Sequence, residues 1–221
     1  MKRTDDRPAQ ADSAQLRPAR QGRSQRSLGR IVAALEALIE EKNFEEITVT
    51  EVCKRAGVAV GTFYDRVGNK DALLEHLRRR FYFEIVAQIE DAFAPGRFDA
   101  LSAADMLAIN AREMVALHRR RRGAIRATIV EARRNAAFAA HARKLNAVLM
   151  QRVTAAWLSK REAFAPGDPE RLVRSSFLLA VGFLREAVIW SELWPGQADD
   201  ESITADFQRM LTTILLAPNT A

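Results

Sequence analysis

One cysteine, Cys53, in 221 residues leaves the chain unable to form an internal disulfide or a thiolate zinc site. Glycine (10) and proline (7) are too scarce for a fibrous or low-complexity chain. The longest unbroken apolar run, Phe177 to Leu184, has eight residues, against the roughly 20 a bilayer span requires. With no apolar stretch near the N-terminus and a lone thiol, a cytoplasmic protein without a membrane partner is expected. Sustained period-two alternation and internal repeats are also missing, so strands are not expected. No G-x-S-x-G, Walker-type loop or Rossmann glycine pattern occurs, and His76, His118 and His141 stand in no metal-ligand spacing. No catalytic residue, cofactor or metal is therefore expected, and the chain is read as something other than an enzyme.

What is present is helix-forming and basic. Apolar residues make up 48% and charged residues 28%, and the net charge is +6. Residues 1–30 hold eight Lys or Arg against three Asp, a local +5, which suits a polyanionic partner. Residues 1–26 combine that charge with Pro8, Pro18, Gly22 and a single Leu, so they read as a flexible basic arm. Seven Arg between 119 and 134 form a second cluster, expected to be a solvated helix end.

The fold class is all-α, with about nine helices. From Leu28 a stripe of Leu28, Ile31, Val32, Leu35, Leu38 and Ile39 marks the first. Thr48-Val49-Thr50-Glu51 fits a capping box, flanked by Ile47 and Val52 as a hydrophobic staple. A short helix from Val49 to Ala56 follows, broken by Gly57, then another over Val60 to Arg66. Asn69 caps a long helix striped by Leu74, Leu77, Phe81, Ile85 and Ile89. Ala94-Pro95-Gly96, Ala165-Pro166-Gly167 and Trp194-Pro195-Gly196 mark three helix ends. Between them helices are expected over about 103–118, 123–134, 136–162 and, behind Asp168-Pro169, from 169 to Trp194, with a last one over 202–216. Cys53 and Gly57 have the i, i+4 relation of a helix-turn-helix crossing, where a small buried residue suffices to explain the thiol.

The run Thr48-Val49-Thr50-Glu51-Val52-Cys53-Lys54-Arg55-Ala56-Gly57-Val58-Ala59-Val60-Gly61-Thr62-Phe63-Tyr64, followed by Asn69-Lys70-Asp71-Ala72-Leu73-Leu74, resembles the N-terminal domain of the tetracycline-repressor-like (TetR) family. The close resemblance covers about 28–77. It implies a helix-turn-helix DNA-binding domain at 27–75 and a ligand-binding and dimerisation domain at 76–217. It further implies phosphate contacts by Tyr64, Lys70, Thr62 and the amide of Gly61. By the same resemblance Thr48, Thr50, Val60 and Arg66 belong to the DNA face, Arg66 able to make a bidentate guanine contact worth about 1–3 kcal/mol. Three positions depart from the family pattern: Ala59 removes a helix cap, Val67 stands for the commoner Phe, and Asp65 adds negative charge. Residues 31–70 carry five basic and seven acidic side chains, so the arm is expected to supply part of the attraction to DNA, with a minor-groove role for Arg20, Arg23 and Arg26 as one form of it.

The helix from 169 to 194 has little polar face, and the last helix repeats the problem. A two-fold dimer is expected through Phe177, Val181, Gly182, Leu184 and Val188 together with Phe207, Met210, Leu211 and Ile214. Asn110 falls in the stripe Leu107, Asn110, Met114, Leu117, and His141 lies near Phe138, Leu145 and Leu149; polar groups so placed need a partner. A ligand site of Phe83, Val86, Asn110, Met114, His141, Ser176 and Phe183 follows, for a mostly apolar effector. The whole reads as a ligand-responsive transcriptional regulator, most simply a repressor binding a near-palindromic double-stranded DNA operator as a homodimer. The alternative is a helical interaction module that binds no DNA.

Overall fold

Thr48 begins the part of the chain whose local chemistry is densest. In a computed structural model, which describes residues 12–196 and 199–216 with side chains from Ser24 on, its hydroxyl accepts from the Glu51 amide at 3.2 Å while the Glu51 carboxylate accepts from the Thr48 amide at 2.8 Å. That reciprocal cap starts helix α2 (Val49–Ala56), which follows α1 (Asp12–Glu41) and a single 3-10 turn at Phe44–Glu46. Gly57 closes α2 at φ 62°, ψ 43°, a left-handed conformation that only glycine takes without steric cost, and helix α3 (Val60–Val67) leaves at once. Phe63, Val52, Ile47, Leu35 and Ile31 are buried beneath the turn, with α1 packed on both short helices. Cys53 lies in this core, and burial pushes its thiol above the ordinary range.

Helix α4 (Lys70–Ala92) is capped by Asn69, whose Oδ1 accepts from the Ala72 amide at 2.7 Å. The chain divides into two compact units, 1–78 and 79–221. The second unit adds α5 (Ala103–Arg120), α6 (Arg122–Arg134), α7 (Ala136–Leu158), α8 (Pro169–Leu184) and α9 (Asp200–Leu215). Ser102, Asn135, Asp168 and Asp199 cap four of these through their side-chain oxygens. Nine α-helices are thus present among the described residues, and none is long and apolar enough to cross a membrane.

Three boundaries differ from expectation. The helical backbone of α1 already runs from Asp12, through residues expected as an arm; residues 1–11 of that arm lie outside the described residues. Helix α7 stops at Leu158 and gives way to a 3-10 turn at Arg161–Ala163. Helix α8 ends at Leu184 rather than reaching Trp194. Arg185–Ile189 widen into a π turn, with the Trp190 amide bonded to the Arg185 carbonyl, and Ser191–Leu193 tighten into a 3-10 turn. The cause lies on α6. Arg126 donates to the Ile189 carbonyl at 2.6 Å and sits 4.8 Å over the Trp190 ring, while Arg122 and Arg126 both hold the Glu192 carboxylate. The arginine cluster is accordingly no plain solvated helix end, since Arg119 pairs with Asp200 and Arg121 with Glu84 as well.

Candidate nucleic-acid interface

Helix α3 hides Phe63 and Val67 and turns Val60, Gly61, Tyr64, Asp65 and Arg66 to the surface. Val60 is 43% exposed and Tyr64 54%, one turn apart, and the Tyr64 ring is braced edge-on against Phe63 at 5.4 Å. No side chain caps this helix, because Ala59 at its N-cap has no oxygen to offer. The amides of its first turn, at the positive end of the helix dipole, are open to an external acceptor. Thr62 is half-buried and Thr50 exposed on the first turn of α2.

Two of the residues expected on the DNA face have partners inside the unit. The Thr48 hydroxyl is held by Glu51, donating to its Oε2 at 2.9 Å. Lys70 Nζ donates to the Glu45 carbonyl at 3.1 Å and lies 4.4 Å over the Phe44 ring, and burial there lowers its pKa from the ordinary lysine value, against the opposing pull of Glu45, Asp71 and Glu51. The sequence did not show the role of Lys42: from the end of α1 it reaches Glu51 Oε1 at 2.6 Å. That ammonium, with the Thr48 amide and hydroxyl, pulls the Glu51 carboxyl down to about 2.

The residues expected to meet a ligand or a second copy fall into two groups. Asn110 and Ser176 are buried in the second unit. Asn110 Oδ1 accepts from Trp157 Nε1 at 2.8 Å, whereas Asn110 Nδ2 and Ser176 Oγ have no partner. Met114 is buried, Val86 half-buried, and Phe183 stacks on Phe207 with centroids 5.4 Å apart. His141 donates from Nδ1 to the Ala137 carbonyl at 2.8 Å and meets the Tyr82 ring edge-on. Phe83 corrects the expectation. At 65% exposure it faces out, because the inward stripe Phe81, Ile85, Ile89 puts position 83 on the far side of α4.

A second correction concerns the dimer face. Phe177, Leu184, Val188, Phe207 and Leu211 belong to the unit's own core, enclosed by Leu107, Ala111, Val153 and Trp157. Met210 and Ile214 are half-buried. Of the expected set only Val181 and Gly182 stand exposed on α8, and beside them Leu178 (62%) and Leu179 (52%), which the sequence reading left out. The signal was available, since Arg171, Ser175, Leu178 and Gly182 follow one another at helical spacing and begin polar.

A helix-turn-helix of this kind, set ahead of a separate helical unit, is an architecture of transcriptional regulators. Residues 31–77 match the family model of the bacterial regulatory proteins of the tetR family, which this part of the chain resembles. It is 31% identical over 77 residues to YxbF of Bacillus subtilis (strain 168), an uncharacterized HTH-type transcriptional regulator; the match spans 35% of this chain and about a fifth of that protein. Among solved structures the fold is shared with a transcriptional regulator of Rhodococcus sp. Rha1, at TM-score 0.66 and 19% identity, over 85% of this chain and 95% of that one. It is shared too with the regulator FadR of Bacillus subtilis, solved in complex with stearoyl-CoA, at TM-score 0.61 and 18% identity, over 82% and 96%.

Proposed function

We propose that the chain is a homodimeric, ligand-responsive repressor whose two copies hold a near-palindromic duplex operator and release it when a small, mostly apolar effector binds residues 79–221. The outward face of α3 carries this reading: Val60 and Tyr64 stand exposed, with Gly61 at the uncapped start of the helix and Arg66 exposed in its last turn. An apolar and aromatic stripe next to free amides and a cation fits a duplex, with base methyls for the one and phosphates for the others. On this reading the Tyr64 phenol and the Lys70 ammonium set the register on phosphates, and Arg66 reads a base edge. Lys70 then exchanges a backbone carbonyl for a phosphate.

The effector is read from two buried polar atoms. Asn110 Nδ2 and Ser176 Oγ lie without partners in an apolar core, and each such atom costs about 1–3 kcal/mol. A ligand that brings an acceptor oxygen on an apolar body removes that cost. The FadR complex with stearoyl-CoA is a case of an acyl compound held by this fold. The exposed Leu178, Leu179, Val181 and Gly182 supply the face for a second copy.

The test is a gel-shift titration of the DNA flanking the chain's own gene with wild type, Tyr64→Ala and Lys70→Ala. Retardation by the wild type, weakened at least several-fold in both variants, is the expected result. Equal binding by all three removes the phosphate assignments. Retardation of no duplex, flanking or library-selected, replaces the reading with that of an interaction module.

A further inference from the structure

The cations of the first unit divide into two groups. Lys42 pairs with Glu51, Arg55 with Glu41 and Arg78 with Glu75. Among the described residues Arg26, Arg30, Lys54 and Arg66 have no carboxylate partner, and all four are exposed. Arg66 belongs to the α3 face already described. Arg26 and Arg30 belong to α1, one turn apart, which is about 6 Å along the helix axis.

Their position relative to α3 follows from the contacts of α1. Directly after α1, Lys42 meets Glu51 in the first turn of α2, Glu41 at the end of α1 meets Arg55 in the last turn of α2, and Arg30 Nη1 reaches the Gly57 carbonyl at 3.5 Å, in the turn that leads into α3. A Cβ added at Gly57 would come within 3.7 Å of the same Nη1. The Arg30 guanidinium therefore lies at the turn that leads into α3, with Arg26 one helical turn earlier on α1.

Gly29 lies between the two arginines. A glycine inside a helix destabilises it and is kept where something must come close to the backbone. Nothing within the unit does so: a Cβ at Gly29 would have no neighbour within 4 Å, and the same is true of Gly61 in the first turn of α3. Two exposed helix turns thus lack a side chain that the unit's own packing would allow, one flanked by unpaired arginines and one at the uncapped helix start.

We infer that Arg26, Gly29 and Arg30 form a phosphate-binding edge on α1, which grips the duplex backbone outside the contact made by α3. The edge rests on the reading of α3 as the DNA face and adds to it a helix that the helix-turn-helix does not include. Arg26 and Arg30 contact phosphates as charges and read no base, and Gly29 lets the backbone approach the strand.

The experiment uses a duplex selected by the full wild-type chain from a random-sequence library, and measures affinity from low to moderate salt. For Arg26→Ala and Arg30→Ala the slope of log affinity against log salt is expected to shrink by about one each, with binding several-fold weaker on preferred and scrambled duplexes alike. Arg30→Lys is expected to keep the slope. Gly29→Ala is expected to raise the melting temperature and still weaken binding. The edge is overturned if the alanine variants keep wild-type affinity and slope, or if they lose affinity for the preferred duplex alone with the slope unchanged, which would be base reading. If the wild type selects no duplex, the α3 reading fails and the edge with it; if it does and the variants match it, the edge alone fails.

Discussion

Glu51 shows how much a single side chain can be asked to do. Its carboxylate closes the capping box with Thr48 and takes the Lys42 ammonium, so the last turn of α1 and the first turn of α2 are tied through one group. The folded state holds this carboxyl at about 2 against its ordinary value of 4.5. A carboxyl depressed by folding stabilises fully above its unfolded value and loses that contribution as pH falls through its folded one. The stabilisation is therefore complete above about pH 4.5 and fades toward pH 2. Melting temperatures taken between pH 6 and pH 2.5 should fall less steeply for Glu51→Gln than for wild type, from a lower starting point at pH 6. Parallel curves would mean that the carboxylate charge has no part in the cap. The Thr48–Glu51 half of this arrangement was legible because its partners are three residues apart. Lys42 was not, since its role depends on how α1 closes on α2.

At the scale of the element, α3 lacks a cap and α8 lacks a regular end, for opposite reasons. The missing cap on α3 is local and was visible in Ala59. An aspartate there would accept from the first-turn amides and complement the helix dipole, stabilising the fold by about 1 kcal/mol, while placing a negative charge where a phosphate is proposed to sit. Ala59→Asp should thus raise the denaturation midpoint and lower DNA affinity; a rise in both would put the phosphate elsewhere. The end of α8 was not visible, because its apolar run continues through Val188 and Trp190 while the arginines that hold the π turn are more than 60 residues earlier. Caps at Asn69 and Asp168 agreed with expectation because each is written within four residues of the helix it starts.

At the scale of the molecule, the sequence made clear that two helices near the C-terminus are apolar nearly all round, but not which side of each was already taken. Phe177, Leu184, Phe207 and Leu211 fill the interior of their own unit, and Leu178 and Leu179 are left outside. An apolar helix with two neighbours has two faces of equal periodicity, and only packing distinguishes them. If the outer face joins two copies, Leu178→Glu should weaken the dimer by about 2 kcal/mol, roughly 30-fold in dissociation constant, read by sedimentation across a concentration series. An undiminished dimer would move the interface off this face. The π turn that follows α8 carries a further consequence. Were its hydrogen bonds to slip into the ordinary helical pattern, every residue after it would rotate by about 100° for each position gained, swinging Glu192 out of reach of Arg122 and Arg126. The carboxylate works as a latch on helical phase: while both guanidinium groups hold it, the segment that leads to the last helix is fixed in one angular setting out of the few a helix permits.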